Sequence, residues 1–242
     1  MNVQLFLTAV PLARTQLKNK TAVVIDVLRS STSICAALMN GAKGVIPTAG
    51  AGEAGDMWSK IGSDMAVLAG ERDGVKIENF TLGNSPTEFT AENIGGKFVI
   101  MTTTNGTSIF AKTHGAEPIL SGALVNIDAV SRRVAEAGQD VIIVCSGLQG
   151  GFSIEDTICG GMLIDRLSTT HRVQVKLNDA ASLALLLYRT NSTAIRRVIQ
   201  QGEHGRFLSS IGFAGDVEIA SEVNSMPVAP SLHDGRLVLN ES

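Results

Sequence analysis

Acids, bases and hydroxyls are concentrated where a strand-like run meets a helix-like one, in Thr21–Met39, which reads TAVVIDVLRSSTSICAALM. Ala22–Ile25 is apolar and partly β-branched, as a buried strand requires, and Ser31–Met39 continues with apolar residues at helical spacing. Asp26, Arg29, Ser30 and Ser31 therefore stand at the switch, beside backbone N–H groups left free at the first turn of the new helix. That combination suits a phosphate or carboxylate and can also hold a divalent metal. The alternative is structural: Ser30 or Ser31 caps the helix while Asp26 and Arg29 pair with each other.

The strand, polar turn, helix pattern occurs twice more. Phe98–Met101 ends in Thr102-Thr103-Thr104-Asn105-Gly106-Thr107 before a helix near Ser108, and Asp140–Cys145 runs into SGLQGGFS, with Ser146 and Gly147, ahead of a helix over Glu155–Leu167. In an open α/β sheet such turns gather at the carboxyl ends of the strands, where ligands bind. Between them, Gly70–Arg72 leads into DGVKIENFTLGNS (73–85), a loop long enough to be functional, and Ser85-Pro86-Thr87-Glu88 reads as a helix start with a capping box.

Asp26, Glu71, Glu88, Glu155 and Asp156 are candidate ligands for Mg²⁺, which prefers oxygen donors and bridges to substrate phosphate. Glu155 and Asp156 would equally complement a helix dipole, and adjacent helical side chains diverge by about 100°, so both need not reach one ligand. Arg29, Arg72 and Arg206 can fork an oxyanion, with Thr103, Thr104, Asn105 and Ser146 as neutral donors. A lone Arg at a turn is more often solvated or ion-paired. His204 could donate a proton to a leaving oxygen, or serve as a helix cap or a surface group.

The remaining elements must position these groups. Strands are expected at Val3–Leu7, Val45–Thr48, Met65–Ala69, Glu117–Leu120 and Val173–Lys176, and helices at Glu53–Ile61 and Asn126–Ala137. Pro11 leads into a short polar connection. The C-terminal third reads as helical over Asp179–Arg189, Ser192–Gln200, His204–Ile211 and Asp216–Val223, to cover the sheet or form a second lobe, and Arg236–Leu239 is expected as an edge strand or a tail. The expected architecture is a layered α/β/α arrangement with a mostly parallel or mixed sheet and a helix-rich C-terminal part, one domain over 1–242 or two closely packed lobes.

A net charge of −3 gives no general reason to expect nucleic-acid or anionic-membrane binding, so any anion must be held by local charge. Met1–Val10 lacks the basic start and long apolar centre of a signal peptide, and a cytoplasmic protein is expected. Cys35, Cys145 and Cys159 form neither a disulfide framework nor a CxxC pair. A Walker A loop and a strand-borne GxGxxG are absent. The loop after Cys145 lacks the Arg of a cysteine phosphatase, and Asp26-Val27-Leu28 lacks the second Asp of a haloacid dehalogenase-type phosphatase.

VVIDVLRSSTSI (23–34), GERDG (70–74), LGNSPTE (82–88), TTTNGT (102–107) and FSIEDTICGG (152–161) together resemble the 2-phosphosulfolactate phosphatase family, with a weaker match at HGRFL (204–208) and Asp216. The resemblance implies an α/β, Mg²⁺-dependent phosphatase that releases phosphate from 2-phospho-3-sulfolactate, a reaction of coenzyme M biosynthesis in methanogens. Asp26, Arg29, Glu155 and His204 are then the expected catalytic residues, and Asp26, Glu71, Glu155 and Asp156 the expected metal ligands. Ser30, Ser31, Arg72, Asn84, Ser85, the Thr103–Thr107 turn, Ser146, Gly147 and Arg206 are expected to meet the substrate. Attack falls to Asp26 or to a metal-bound water. A phosphatase for another small hydroxy-acid phosphate and a noncatalytic anion-binding protein are the rivals, and a homodimer is admissible.

Overall fold

The computed structural model describes residues 1–8 and 13–239, so Pro11 lies outside the described residues. In chain order the strands are β1 (Asn2–Phe6), β2 (Lys20–Ile25), β3 (Gly44–Pro47), β4 (Ala66–Arg72), β5 (Val75–Lys76), β6 (Phe98–Thr102), β7 (Ile119–Gly122), β8 (Asp140–Cys145), β9 (Lys176–Leu177), β10 (Ser231–His233) and β11 (Arg236–Val238). The helices are α1 (Arg14–Leu17), α2 (Ser30–Met39), α3 (Ala51–Ile61), α4 (Ala91–Ile94), α5 (Thr107–Lys112), α6 (Ile127–Ala137), α7 (Ile154–Thr169), α8 (Asp179–Asn191), α9 (Ile195–Gln201), α10 (Glu203–Ser210) and α11 (Ala214–Ala220).

One mixed sheet orders the strands β5-β4-β6-β3-β11-β10-β7-β2-β8-β1-β9. β2 has no polar alternation because both its faces are covered. Val23 and Ile25 share a core with Val130 of α6 and Ile158 of α7. Ala22 and Val24 pack on the other side, with Ile34 of α2 and Ile109 of α5. These are the layers that the alternating β and α segments predict. α2 is buried along almost its whole length, from Ser30 to Leu38: Ile34, Ala37 and Leu38 share a core with Val24, Val45 and Val99, and Cys35 packs with Ala123 and Val125. A helix without a polar face must be enclosed in this way.

The sheet has two parallel halves, β4-β6-β3 and β7-β2-β8-β1-β9. The β10–β11 hairpin joins them antiparallel, Leu237 pairing with Val45 and Ser231 with Leu120. The expected edge strand or tail at Arg236–Leu239 is thus an interior strand, closed by the left-handed Asp234-Gly235 turn that favours hairpins. The hairpin also reverses strand sense between the halves, so a simple open-sheet argument does not bring their turns together. Contacts between the turns themselves bring them together, as where Ser30, after β2, meets Thr103, after β6, at 3.1 Å.

Other boundaries shift by local chemistry. At Val173–Lys176 only Lys176 enters a strand, pairing beside Asn2. α7 begins at Ile154 because the Ser153 hydroxyl accepts the Asp156 N–H. Ser85 and Glu88 do form a capping box, but the turn they close is a single 3₁₀ turn, Pro86–Glu88. α8 packs on α7, while α9 links α7 to α10 and α11.

Candidate active site

The turns leaving β2, β4, β6 and β8 meet the start of α10 around a cavity of about 250 Å³. Asp26 follows β2 directly. Its buried carboxylate accepts the Ser30 N–H at 3.3 Å, which ties it to the first turn of α2. Burial pushes Asp26 up to about 6, with Glu71 adding to the rise and His204 and Ser30 opposing it. Gly106 lets the β6 turn close on this carboxylate: a Cβ there would stand 2.2 Å from Asp26 Oδ2 and 2.6 Å from Ser30 Oγ. Ser30 Oγ in turn donates to Thr103 Oγ1 at 3.1 Å, joining the two halves of the sheet at the site.

Arg29 is committed within the protein. Nη1 donates to Asp216 Oδ2 and Nη2 to the Gly74 carbonyl, both at 2.8 Å, and the guanidinium lies 4.3 Å over the Phe213 ring. Asp216 also accepts the Ser85 hydroxyl at 2.6 Å. This network draws the β4–β5 hairpin and α11 against the α2 start, while Arg29 still borders the cavity.

Glu71 likewise braces two loops, since Oε1 accepts the Thr104 N–H at 2.7 Å and Oε2 the Gly74 N–H at 2.8 Å. Asp156 accepts the Val27 N–H, the Ser146 hydroxyl and the Gly147 N–H at 2.8, 2.9 and 3.1 Å, bridging the β2 and β8 turns. Burial, with Asp26 and Glu155 nearby, holds its carboxyl well above the usual range. Glu155 turns the other way and meets His204 Nδ1 at 3.1 Å. The two adjacent acids of α7 therefore serve different partners, as their angular separation requires.

Of the expected contacts, Asp26, Arg29, Ser30, Glu71, Asn84, Thr104, Asn105 and His204 line the cavity. Several hydroxyls do not, and these are held by protein partners. Ser31 bonds the Asp26 N–H and Ser121, and Thr103 and Thr107 bond each other's backbone N–H. Arg72 lies outside, its guanidinium on the Glu71 carbonyl and Thr102, and exposed Arg206 bonds the Gln201 carbonyl. Leu148, Gln149, Glu203 and Phe207 also line the cavity. Sequence reasoning had not singled them out, although Gln149 sits in the SGLQGG turn and Glu203 precedes His204. All three cysteines are buried, and burial pushes their thiols up, away from thiolate chemistry.

The profile of the family described as 2-phosphosulpholactate phosphatase matches residues 7–235. The chain belongs to this family. Among curated members of the 2-phosphosulfolactate phosphatase family, a protein of Clostridium acetobutylicum is 37% identical over 238 residues, covering 98% of this chain and 100% of that one. Another, of Clostridium beijerinckii, is 33% identical over 237 residues, with 98% and 99% covered, and one of Caldanaerobacter subterraneus subsp. tengcongensis is 36% identical over 219, with 90% of each covered. All three are named probable 2-phosphosulfolactate phosphatase.

In this family member Asp26, Glu71, Glu155 and Asp156, the acids expected to supply metal ligands, differ in how far protein partners occupy them. Among the described residues no three His, Cys, Asp or Glu side chains are grouped to hold an ion. Glu71 and Asp156 spend their oxygens on backbone N–H and hydroxyl donors, and Glu155 serves His204. A smaller ligand set does fit Mg²⁺, which commonly takes one or two carboxylates and completes its shell with water and substrate phosphate. Asp26 offers a desolvated carboxylate, and the buried Asn84 Oδ1, also in the cavity lining, has no hydrogen-bond partner. Both are oxygen donors that a hard cation would satisfy.

Proposed function

We propose that the chain is a Mg²⁺-dependent phosphoric monoester hydrolase that converts 2-phospho-3-sulfolactate and water into 3-sulfolactate and inorganic phosphate. One observation carries the reading: a buried carboxylate, Asp26, raised to about 6, stands at the N-terminus of a ten-residue helix in the wall of a small cavity. Groups with such shifted values cluster where proton transfer or nucleophilic attack occurs. The helix N-terminus favours a phosphoryl group, and Ser30, Thr104 and Asn105 offer neutral polar groups around it.

Asp26, Glu71, Asp73 and Glu203 line the cavity, while Arg29 is already paired with Asp216. An acidic cavity accepts a multiply anionic ester only together with a cation. Asp26, with Asn84, would hold Mg²⁺, which when bound would act as a Lewis acid on the phosphate. Asp26 is also the one acid at the helix start able to attack phosphorus itself. In either case the P–O ester bond breaks and its electron pair leaves on the ester oxygen. That oxygen gains a proton to become the product hydroxyl, and water supplies the new oxygen on phosphorus. On the same reading the protein is a cytoplasmic enzyme, a homodimer is admissible, and the reaction is one of coenzyme M biosynthesis.

Phosphate release from phosphosulfolactate, phospholactate and a neutral-tailed phosphate ester, with Mg²⁺ and after EDTA, tests this. The expected result is a preference for phosphosulfolactate, abolished by chelation and restored by Mg²⁺. Full activity after exhaustive chelation would refute the metal requirement. Turnover of no ester would leave an anion-binding protein.

A further inference from the structure

A second cavity of about 210 Å³ adjoins the first, and Leu148, Glu203 and His204 line both. Glu155 lines only the second, beside Phe152 and Gly202, so the Glu155–His204 contact links the walls of the two spaces. The pair is well buried, with side-chain exposures of 13% for His204 and 2% for Glu155. When the Glu155 carboxylate accepts from Nδ1–H, the imidazole is fixed in rotation and tautomer, and Nε2 is the nitrogen left for another partner. His204 and Asp26 both line the first cavity, so the imidazole borders the space that holds the proposed point of attack.

We propose that Glu155 is a positioning residue, holding His204 so that it delivers a proton to the departing ester oxygen, and that the second cavity admits small carboxylates from solution to the Glu155 position. The inference rests on the phosphatase reading above. As the P–O bond breaks, its electron pair passes to the ester oxygen, which takes the Nε2 proton. Neutral His204, still bonded through Nδ1, recovers a proton from the attacking water, so the cycle balances. The alkoxide of a hydroxy acid is a basic leaving group and needs this proton, whereas 4-nitrophenolate is resonance-stabilised and does not.

The test compares wild type, Glu155→Ala, Glu155→Gln and His204→Ala on phosphosulfolactate and 4-nitrophenyl phosphate, with and without sodium formate. Glu155→Ala should lower kcat on phosphosulfolactate by roughly 100-fold, the lower end of the range for lost proton transfer, and by less than about 3-fold on the nitrophenyl ester. Formate should restore much of the loss in Glu155→Ala and none in His204→Ala, with Glu155→Gln intermediate because it keeps an acceptor but no charge. Mn²⁺ affinity of Glu155→Ala should match wild type. Equal losses on both esters, absence of formate rescue in a folded variant, or a matching fall in Mn²⁺ affinity would each overturn the proposal. Should wild type turn over neither ester, the phosphatase reading fails by itself. The ring then still reports: ¹⁵N NMR should find His204 protonated at Nδ1 in wild type and lose that preference in Glu155→Ala.

Discussion

Asp26→Asn should make the protein more stable at neutral pH while removing its activity. In the folded chain the Asp26 carboxyl is raised from 3.8 to about 6, chiefly by burial. Between those values the folded state holds a proton that the unfolded state has released, so this group's contribution to stability falls as pH rises from about 4 to about 6 and is flat above. At about 1.4 kcal/mol per pH unit the penalty at pH 7.5 is about 3 kcal/mol. Asn keeps an oxygen for the Ser30 N–H and carries no charge, so it escapes the penalty. Urea unfolding in EDTA should show Asp26→Asn more stable by about 2–3 kcal/mol at pH 7.5, with the gap closing near pH 4. The same variant should lose at least about 100-fold in kcat. A variant no more stable than wild type at pH 7.5, or a gap independent of pH, would refute the claim that Asp26 is an ionised acid forced into a site short of positive charge.

Gly106→Ala puts a methyl 2.2 Å from Asp26 Oδ2 in a backbone conformation that Ala tolerates, so kcat should drop at least about 10-fold with circular dichroism unchanged. Arg29→Met strands the buried Asp216 carboxylate and should destabilise by about 3–5 kcal/mol in urea unfolding, with part of the loss recovered in Arg29→Met/Asp216→Asn. Arg72→Ala removes a side chain outside the cavity, and kcat/KM for phosphosulfolactate should stay within about 2-fold of wild type.

Residues 22–25 announce a doubly covered strand by their unbroken apolar run, and the repeated strand, turn, helix pattern carries the α/β class. The C-terminal hairpin was harder to read, since Leu232 and Leu237 are the main apolar anchors in a polar stretch and only Asp234-Gly235 marks the turn. At the site, residue types located the turns but not the use of each group. A turn hydroxyl that meets a ligand and one that caps a helix look alike in sequence. Only the reciprocal bonds of Thr103 and Thr107 reveal the second role. Arg29 was expected to grip phosphate, yet its partner Asp216 lies 187 residues further on, a pairing that no local pattern contains.

The hairpin in the middle of the sheet also sets the order in which the chain can be completed during synthesis. Every other strand emerges from the ribosome before residues 231–238, and until then β3 and β7 each present an open ladder of N–H and C=O groups. Such open edges invite pairing with another chain. A nascent polypeptide arrested just short of the hairpin therefore leaves the two halves of the sheet unjoined, and their joining waits on contacts such as Leu237 with Val45, 192 residues apart. Contacts this distant in sequence form slowly. Residues 231–238 thus act as the clasp between the two halves of the sheet.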